Sequence, residues 1–182
     1  RADALTEAAK IRADTAIEIA SMKSESANKN APKDVADAEG AIVTTLGKLK
    51  QGSDIVNMLN DPQNEGLMTR WNVLKQKGAS YLNIEDKDQA LKIDNVESFL
   101  TDAVNTVLIA AKGVQTEGDA QRAAKQIIGL AAKGDNKGYV NAINRLNSWA
   151  DTVIEAKKAY MKRRGFDFKD STDNKDDPLG LR

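Results

Sequence analysis

Between Val107 and Tyr160 the chain marks where its helices must stop and restart. An apolar helical run closes with Val107-Leu108-Ile109-Ala110-Ala111 and breaks at Lys112-Gly113. After Thr116-Glu117-Gly118-Asp119 comes a second run carrying Ala120, Ala123, Ala124, Ile127, Ile128 and Ala131, which breaks at Lys133-Gly134. A third follows Asp135-Asn136 and places Tyr139, Ile143, Leu146, Ala150, Val153 and Tyr160 at spacings of three, four or their sum. Those spacings line one face of an α-helix. A glycine just past the last periodic residue ends a helix because it enters the left-handed region without a Cβ clash. Thr116 is a good N-cap, and Asp119 sits where a capping-box acid belongs. A segment ordered as helix, stop, cap, helix, stop, helix cannot be read as sheet.

The rest of the chain extends the same pattern. Residues 1–30 read as one helix with a narrow apolar stripe of Leu5, Ala8, Ala9, Ala16, Ile17 and Ala20 on a charged rod. So thin a stripe needs a partner, either another segment or another subunit, which makes Leu5 and Ile17 candidate contact residues. Pro32 stops that helix and is tolerated in the first turn of the next. The next carries Val35, Ala38, Ile42, Leu46 and Leu49 on one face. Gly40 and Gly47 weaken it by about 1 kcal/mol each where exposed. Gly52-Ser53 is a candidate interruption before Ile55, Val56, Met58 and Leu59, and Asn60-Asp61-Pro62 is a loop signal. A shorter helix holds Leu67, Met68, Trp71, Val73 and Leu74 and ends at Lys77-Gly78; residues 79–88 read as a polar connection. Ile93, Val96, Leu100, Ala103 and Val107 open a strong helix.

The expected fold is all-α, a bundle of about six helices near 2–30, 33–59, 65–76, 90–112, 117–132 and 137–163. It divides into an extended, coiled-coil-like N-terminal arm (1–31), a bundle module (32–164) and a mobile, acidic tail (165–182). The tightest core is expected between Ile93 and Tyr160. No solenoid period and no strand alternation bounded by hairpin turns interrupts this reading.

Composition narrows the chemistry. The 182 residues include no Cys and no His, so disulfides, thiolate nucleophiles, histidine bases and the usual Cys/His zinc sites are excluded. Only 4% of residues are aromatic, which leaves Ala, Ile, Leu and Val to build a thin helix-on-helix core. Lys plus Arg and Asp plus Glu are 27 each, so net charge steers the whole chain toward neither nucleic acid nor anionic lipid. No stretch reaches the ~18 apolar residues of a membrane span, and membrane contact is left open. Arg1 at the first position raises the expectation of a fragment or a processed chain. Neither catalysis nor a cofactor nor a metal is expected.

The densest basic cluster is Lys157, Lys158, Lys162, Arg163 and Arg164. It is a candidate phosphate contact, against the simpler reading that cations gather at a helix C-terminus to complement its dipole. Asp167, Asp170, Asp173, Asp176 and Asp177 follow and offset its field. The stretch Asp170–Asp177 has a faint calcium-loop look but lacks the turn Gly and the closing Glu. Glu117 and Asp119 are better explained by capping than by metal binding. The helix after Gly113 offers Gln121, Arg122, Lys125 and Gln126 among alanines, a poor base-reading set. Trp71 and Trp149 read as packing anchors, with a partner-contact role as the alternative.

The order of these signals carries a resemblance. Val35-Ala36-Asp37-Ala38-Glu39, Ile55-Val56-Asn57-Met58-Leu59-Asn60-Asp61-Pro62, Val96-Glu97-Ser98-Phe99-Leu100, Leu108 through Asp119, and Tyr139-Val140-Asn141-Ala142-Ile143-Asn144-Arg145-Leu146 follow one another. Over roughly residues 35–160 this resembles the helical module of tailed-bacteriophage DNA ejection, DNA transfer or internal virion proteins. The resemblance implies a virion assembly role near the portal and tail, with the protein helping DNA into a bacterial host. It implies a homo-oligomer that contacts other portal or tail proteins, weak non-specific DNA contact at most, and location in the capsid interior or tail with delivery toward the host envelope. It carries over no catalytic residue. A generic helical adaptor, or a tape-measure-like scaffold with no nucleic-acid role, is the alternative.

Overall fold

The computed structural model describes residues 31–78, 84 and 86–168. Expectations for the arm at 1–30, including Leu5 and Ile17, and for the tail beyond 168 lie outside the described residues. Within them the fold is all-α. Five α-helices follow in order: α1 (Lys33–Asn60), α2 (Leu67–Gln76), α3 (Lys87–Ala110), α4 (Glu117–Ala131) and α5 (Asn136–Arg163), with a 3-10 turn at Pro62–Asn64. No named strand occurs among the described residues; Lys112 and Gln115 form a lone bridge.

Local chemistry sets the boundaries. Asp86 caps α3, its carboxylate accepting from the amides of Asp88 and Gln89, so the helix starts at Lys87 inside the expected connection. Thr116 caps α4, its hydroxyl accepting from the Asp119 amide at 3.3 Å while it donates to the Asp119 carboxylate. Asp135 caps α5 through the Gly138 amide at 2.6 Å. At Gly134 (φ +78°) the left-handed backbone favours glycine, and a Cβ there would press on the Asn72 side chain.

One expectation is corrected. Gly52-Ser53 does not interrupt α1, which runs unbroken for 28 residues, about 42 Å. Gly52 is instead where helices crowd: a Cβ would lie 3.1 Å from Phe99 Cζ, 3.2 Å from Ile143 Cγ2 and 3.1 Å from Asn147 Oδ1. The larger core cluster lies mostly within Ile93–Tyr160, where the tightest core is expected, and extends onto the end of α1 and onto α2. The larger cluster takes in Ile55, Leu59, Leu67, Met68 and Trp71 alongside Phe99, Val107, Ile127, Ile143 and Val153. A second cluster, Val35, Ala38, Ile42, Ile154 and Met161, is shared by α1 and α5 alone. Those two helices form the most extensive pair because both carry apolar residues along their whole length.

α1 runs antiparallel to α5: Asp34 meets Tyr160 and Arg164, while Leu59 meets Asn136. α3 runs in the direction of α5, and α4 returns against both. The first residues after α5 pack back on the bundle. Gly165 (φ +83°) turns the chain, the Phe166 amide donates to the Met161 carbonyl at 3.0 Å, and Phe166 and Phe168 pack on the second cluster. The described chain therefore begins and ends at the same pole of the bundle. At the opposite pole Asn136 ties three elements together. Its Nδ2 donates to the carbonyls of Leu59 (3.0 Å) and Asn64 (2.8 Å), and its Oδ1 accepts from the Met68 amide (2.9 Å).

Candidate functional site

Helices α2, α3 and α5 bring three polar side chains together at the edge of the core. Glu97 follows Ile93 by four residues and Val96 by one, so α3 carries it at the margin of its apolar face. Its Oε1 accepts from Lys75 Nζ at 2.7 Å and from the Tyr139 hydroxyl at 2.9 Å. Lys75 also lies over the Trp71 ring, 5.7 Å from its centroid. The Trp71 indole N–H turns toward the same carboxylate without completing a hydrogen bond.

Burial pushes the Glu97 carboxyl up, but the hydrogen bonds from Lys75 and Tyr139, the nearby Trp71 N–H and the Lys75 charge together outweigh it, and the group is held below the ordinary glutamate range. Burial first, then the charge and hydrogen bond of Glu97, push the Tyr139 phenol well above its usual range. At neutral pH the carboxylate is ionised and the phenol protonated, each stabilised in that form. The trio ties α2, α3 and α5 together as a charged brace.

Beside this brace a groove of about 350 Å³ opens between α3 and α4. Leu100, Val104 and Ala131 supply apolar lining; Asn72, Asn105 and Ile128 line it as well. Ile128 is 55% exposed, and Ile109 further along α3 is 65% exposed. Ile127, its neighbour in sequence, is fully buried. The apolar run read from sequence therefore splits: Ile127 is core, and Ile128 faces outward.

The basic cluster at the end of α5 does not act as one surface. Lys157 donates to the Lys112 carbonyl at 3.1 Å, closing the C-terminal end of α3. Burial pulls its ammonium below the usual lysine range, and the charge of Asp37 works against that shift. Lys158 pairs with Glu155 at 3.2 Å and lies over the Phe168 ring. Arg164 pairs with Asp34 at 3.0 Å, and Tyr160 donates to the same carboxylate. The Tyr160 hydrogen bond holds the Asp34 carboxyl below its ordinary range. Lys162 and Arg163 remain exposed, with no ion pair among the described residues. Trp71 and Trp149 are both buried, and the Trp149 indole donates to Gln115 Oε1 at 2.9 Å, tying α5 to the loop before α4. The calcium-loop-like stretch Asp170–Asp177 lies outside the described residues.

Sequence reasoning missed the Glu97 brace and the Asn136 tie. A charged residue flanked by apolar neighbours at helical spacing was the available signal for Glu97. Its partners stand 22 and 42 residues away, where no local pattern reaches. Among the described residues no group of three or more acidic side chains could hold a metal ion, and no helix is long and apolar enough to cross a membrane. No family model, curated protein or solved structure matches the chain.

Proposed function

We propose that this chain is a structural and assembly protein of a tailed-phage virion, associated with the portal–tail region and helping DNA pass into the bacterial host. The observation that supports an assembly role is how the reactive side chains are used. Glu97, Tyr139 and Lys75 neutralise one another as an interhelical brace, and Lys157 and Arg164 clasp helix ends. What the bundle presents outward is contact surface: the groove between α3 and α4, with Ile109 and Ile128 exposed on those two helices. The phage half of the reading rests on the sequence resemblance over residues 35–160. On this reading the protein works as a homo-oligomer beside other portal or tail proteins and carries no catalytic step.

Particle fractionation tests it. The protein should be found inside the capsid or tail and should leave the particle with the DNA. Recovery only from uninfected cells would favour a generic helical adaptor. Retention in the tail after DNA release would favour a tape-measure-like scaffold.

A further inference from the structure

The hairpin of α4 and α5 concentrates charge that the whole chain lacks. Between Gln121 and Ala150 stand five cations, Arg122, Lys125, Lys133, Lys137 and Arg145, against a single carboxylate, Asp135, in a chain of zero formal net charge. All five cations are exposed. The one carboxylate is engaged in capping the Gly138 amide. Arg122 is braced to Asp119 at 2.8 Å, which leaves Lys125, Lys133, Lys137 and Arg145 with no ion pair among the described residues.

These four are all exposed on the α4–α5 hairpin, Lys125 on α4, Lys133 in the turn after it, and Lys137 and Arg145 on α5. Lys125 and Lys133 recur at helical spacing along the solvent side of α4 and the turn that follows it. A Cβ built at Gly138 would lie 2.8 Å from the Leu130 carbonyl and 3.1 Å from the Lys133 Cβ, so the two helices nearly touch there. Asn141 and Arg145, one and two turns beyond Gly138, therefore run along the flank of α4. Gln126, one turn before Leu130, is exposed on α4. Glu117 and Asp119, the nearest other acids on α4, stand at the far end in its first turn.

We propose that this outer face of the α4–α5 hairpin, centred on Lys125, Lys133, Lys137 and Arg145, is a sequence-independent contact for the phosphate backbone of double-stranded DNA. The inference rests on the reading of the chain as a component on the path of the DNA, and names the face that meets it. Exposed amides interleave with the cations, and both donate to phosphate oxygens without reading base edges. The strip's exposed cations and amides fit a polyanion, and its nearest large aliphatic side chain, Ile128, stands one turn from Lys125 toward the groove with α3. The cluster at the end of α5 is the weaker candidate, because Lys157, Lys158 and Arg164 are already engaged.

Fluorescence anisotropy of the full chain against a labelled, mixed-sequence duplex, titrated with salt, tests this face. Four released counterions give a slope of log K against log salt of about −3 to −4. The variant Lys125→Gln, Lys133→Gln, Lys137→Gln, Arg145→Gln should keep its circular dichroism spectrum, bind about tenfold or more weakly and lose most of that slope. The smaller Lys133→Gln, Arg145→Gln pair should fall between. The control Lys162→Gln, Arg163→Gln should stay within about twofold of the parent. The proposal is overturned if the quadruple variant binds as the parent does, if the parent shows no salt-dependent duplex binding, or if phosphatidylserine vesicles capture the chain through these residues while duplex does not. A chain found in particles but blind to duplex sinks this face alone. A chain absent from particles sinks the virion reading and leaves the anisotropy result standing.

Discussion

Replacing Asn136 with alanine removes the tie that holds one pole of the bundle. Three hydrogen bonds go at once: two from Nδ2 to the carbonyls of Leu59 and Asn64, and one from the Met68 amide to Oδ1. Each contributes about 0.5–1.5 kcal/mol net of exchange with water. Asn136 is half-buried, so water re-solvates part of what is exposed, and the expected cost is about 2–3 kcal/mol. Urea unfolding followed by far-ultraviolet circular dichroism reads this as a lowered midpoint at unchanged slope. Asn136→Asp sharpens the test. It keeps the acceptor for Met68 but presents an anion to two carbonyl oxygens, so at neutral pH it should destabilise at least as much as alanine. Its deficit should shrink on acidification, as a protonated carboxyl regains one donor. Asn141→Ala, exposed on the same helix, should change stability by less than about 0.5 kcal/mol. An Asn136→Ala midpoint equal to that of Asn141→Ala would show that the pole is held by packing and would refute the hydrogen-bond accounting.

Gly40 and Gly52 sit in the same helix and should respond oppositely to alanine: Gly40 has nothing within 4 Å of a Cβ and should stabilise by up to about 1 kcal/mol, whereas at Gly52 overpacking of about 1–3 kcal/mol should cancel or exceed that gain in thermal melts. Glu97→Gln should cost stability at neutral pH, and because the folded carboxyl titrates below its ordinary 4.5, the gap to the parent should be full above that pH and close as pH falls through the lower folded value, as followed by acid-titrated urea midpoints. Ile127→Asp buries an unpaired charge at a fully enclosed position and should cost several kcal/mol, while Glu117→Gln in the exposed first turn of α4 should cost only tenths; equal melting temperatures for Ile127→Asp and the parent would contradict the enclosure.

How far the fold could be read from the sequence depended on how local each cause is. Pro32, Gly113, Thr116, Gly134 and Asp135 act on their own turns, and helix ends there fall within a few residues of expectation. Gly52 looked like a breaker because its reason lies in Phe99 and Ile143, distant in sequence and pressed against its missing side chain. Asp86 stands in a polar stretch that reads as a connection, although its carboxylate is an ordinary cap for α3. Phe166 and Phe168 were read by the charged company they keep, while their rings pack on a seam built from the other end of the chain. The brace around Glu97 joins three helices, and the basic cluster was legible as composition but not as geometry: the Arg164 ion pair depends on Asp34, which only the antiparallel return of α5 brings near.

That the described chain begins and ends beside the Asp34–Arg164 clasp has a mechanical consequence. A force applied through the two ends does not shear α1 along α5. It pulls them apart from one side, so the clasp and the fold-back of Phe166 and Phe168 bear the load first and the contacts behind them yield in turn. Unzipping of this kind needs far less force than sliding two long helices past each other. Tension entering from that side would open the α1–α5 seam while leaving the Asn136 pole, about 40 Å away along the bundle, as the last part to give.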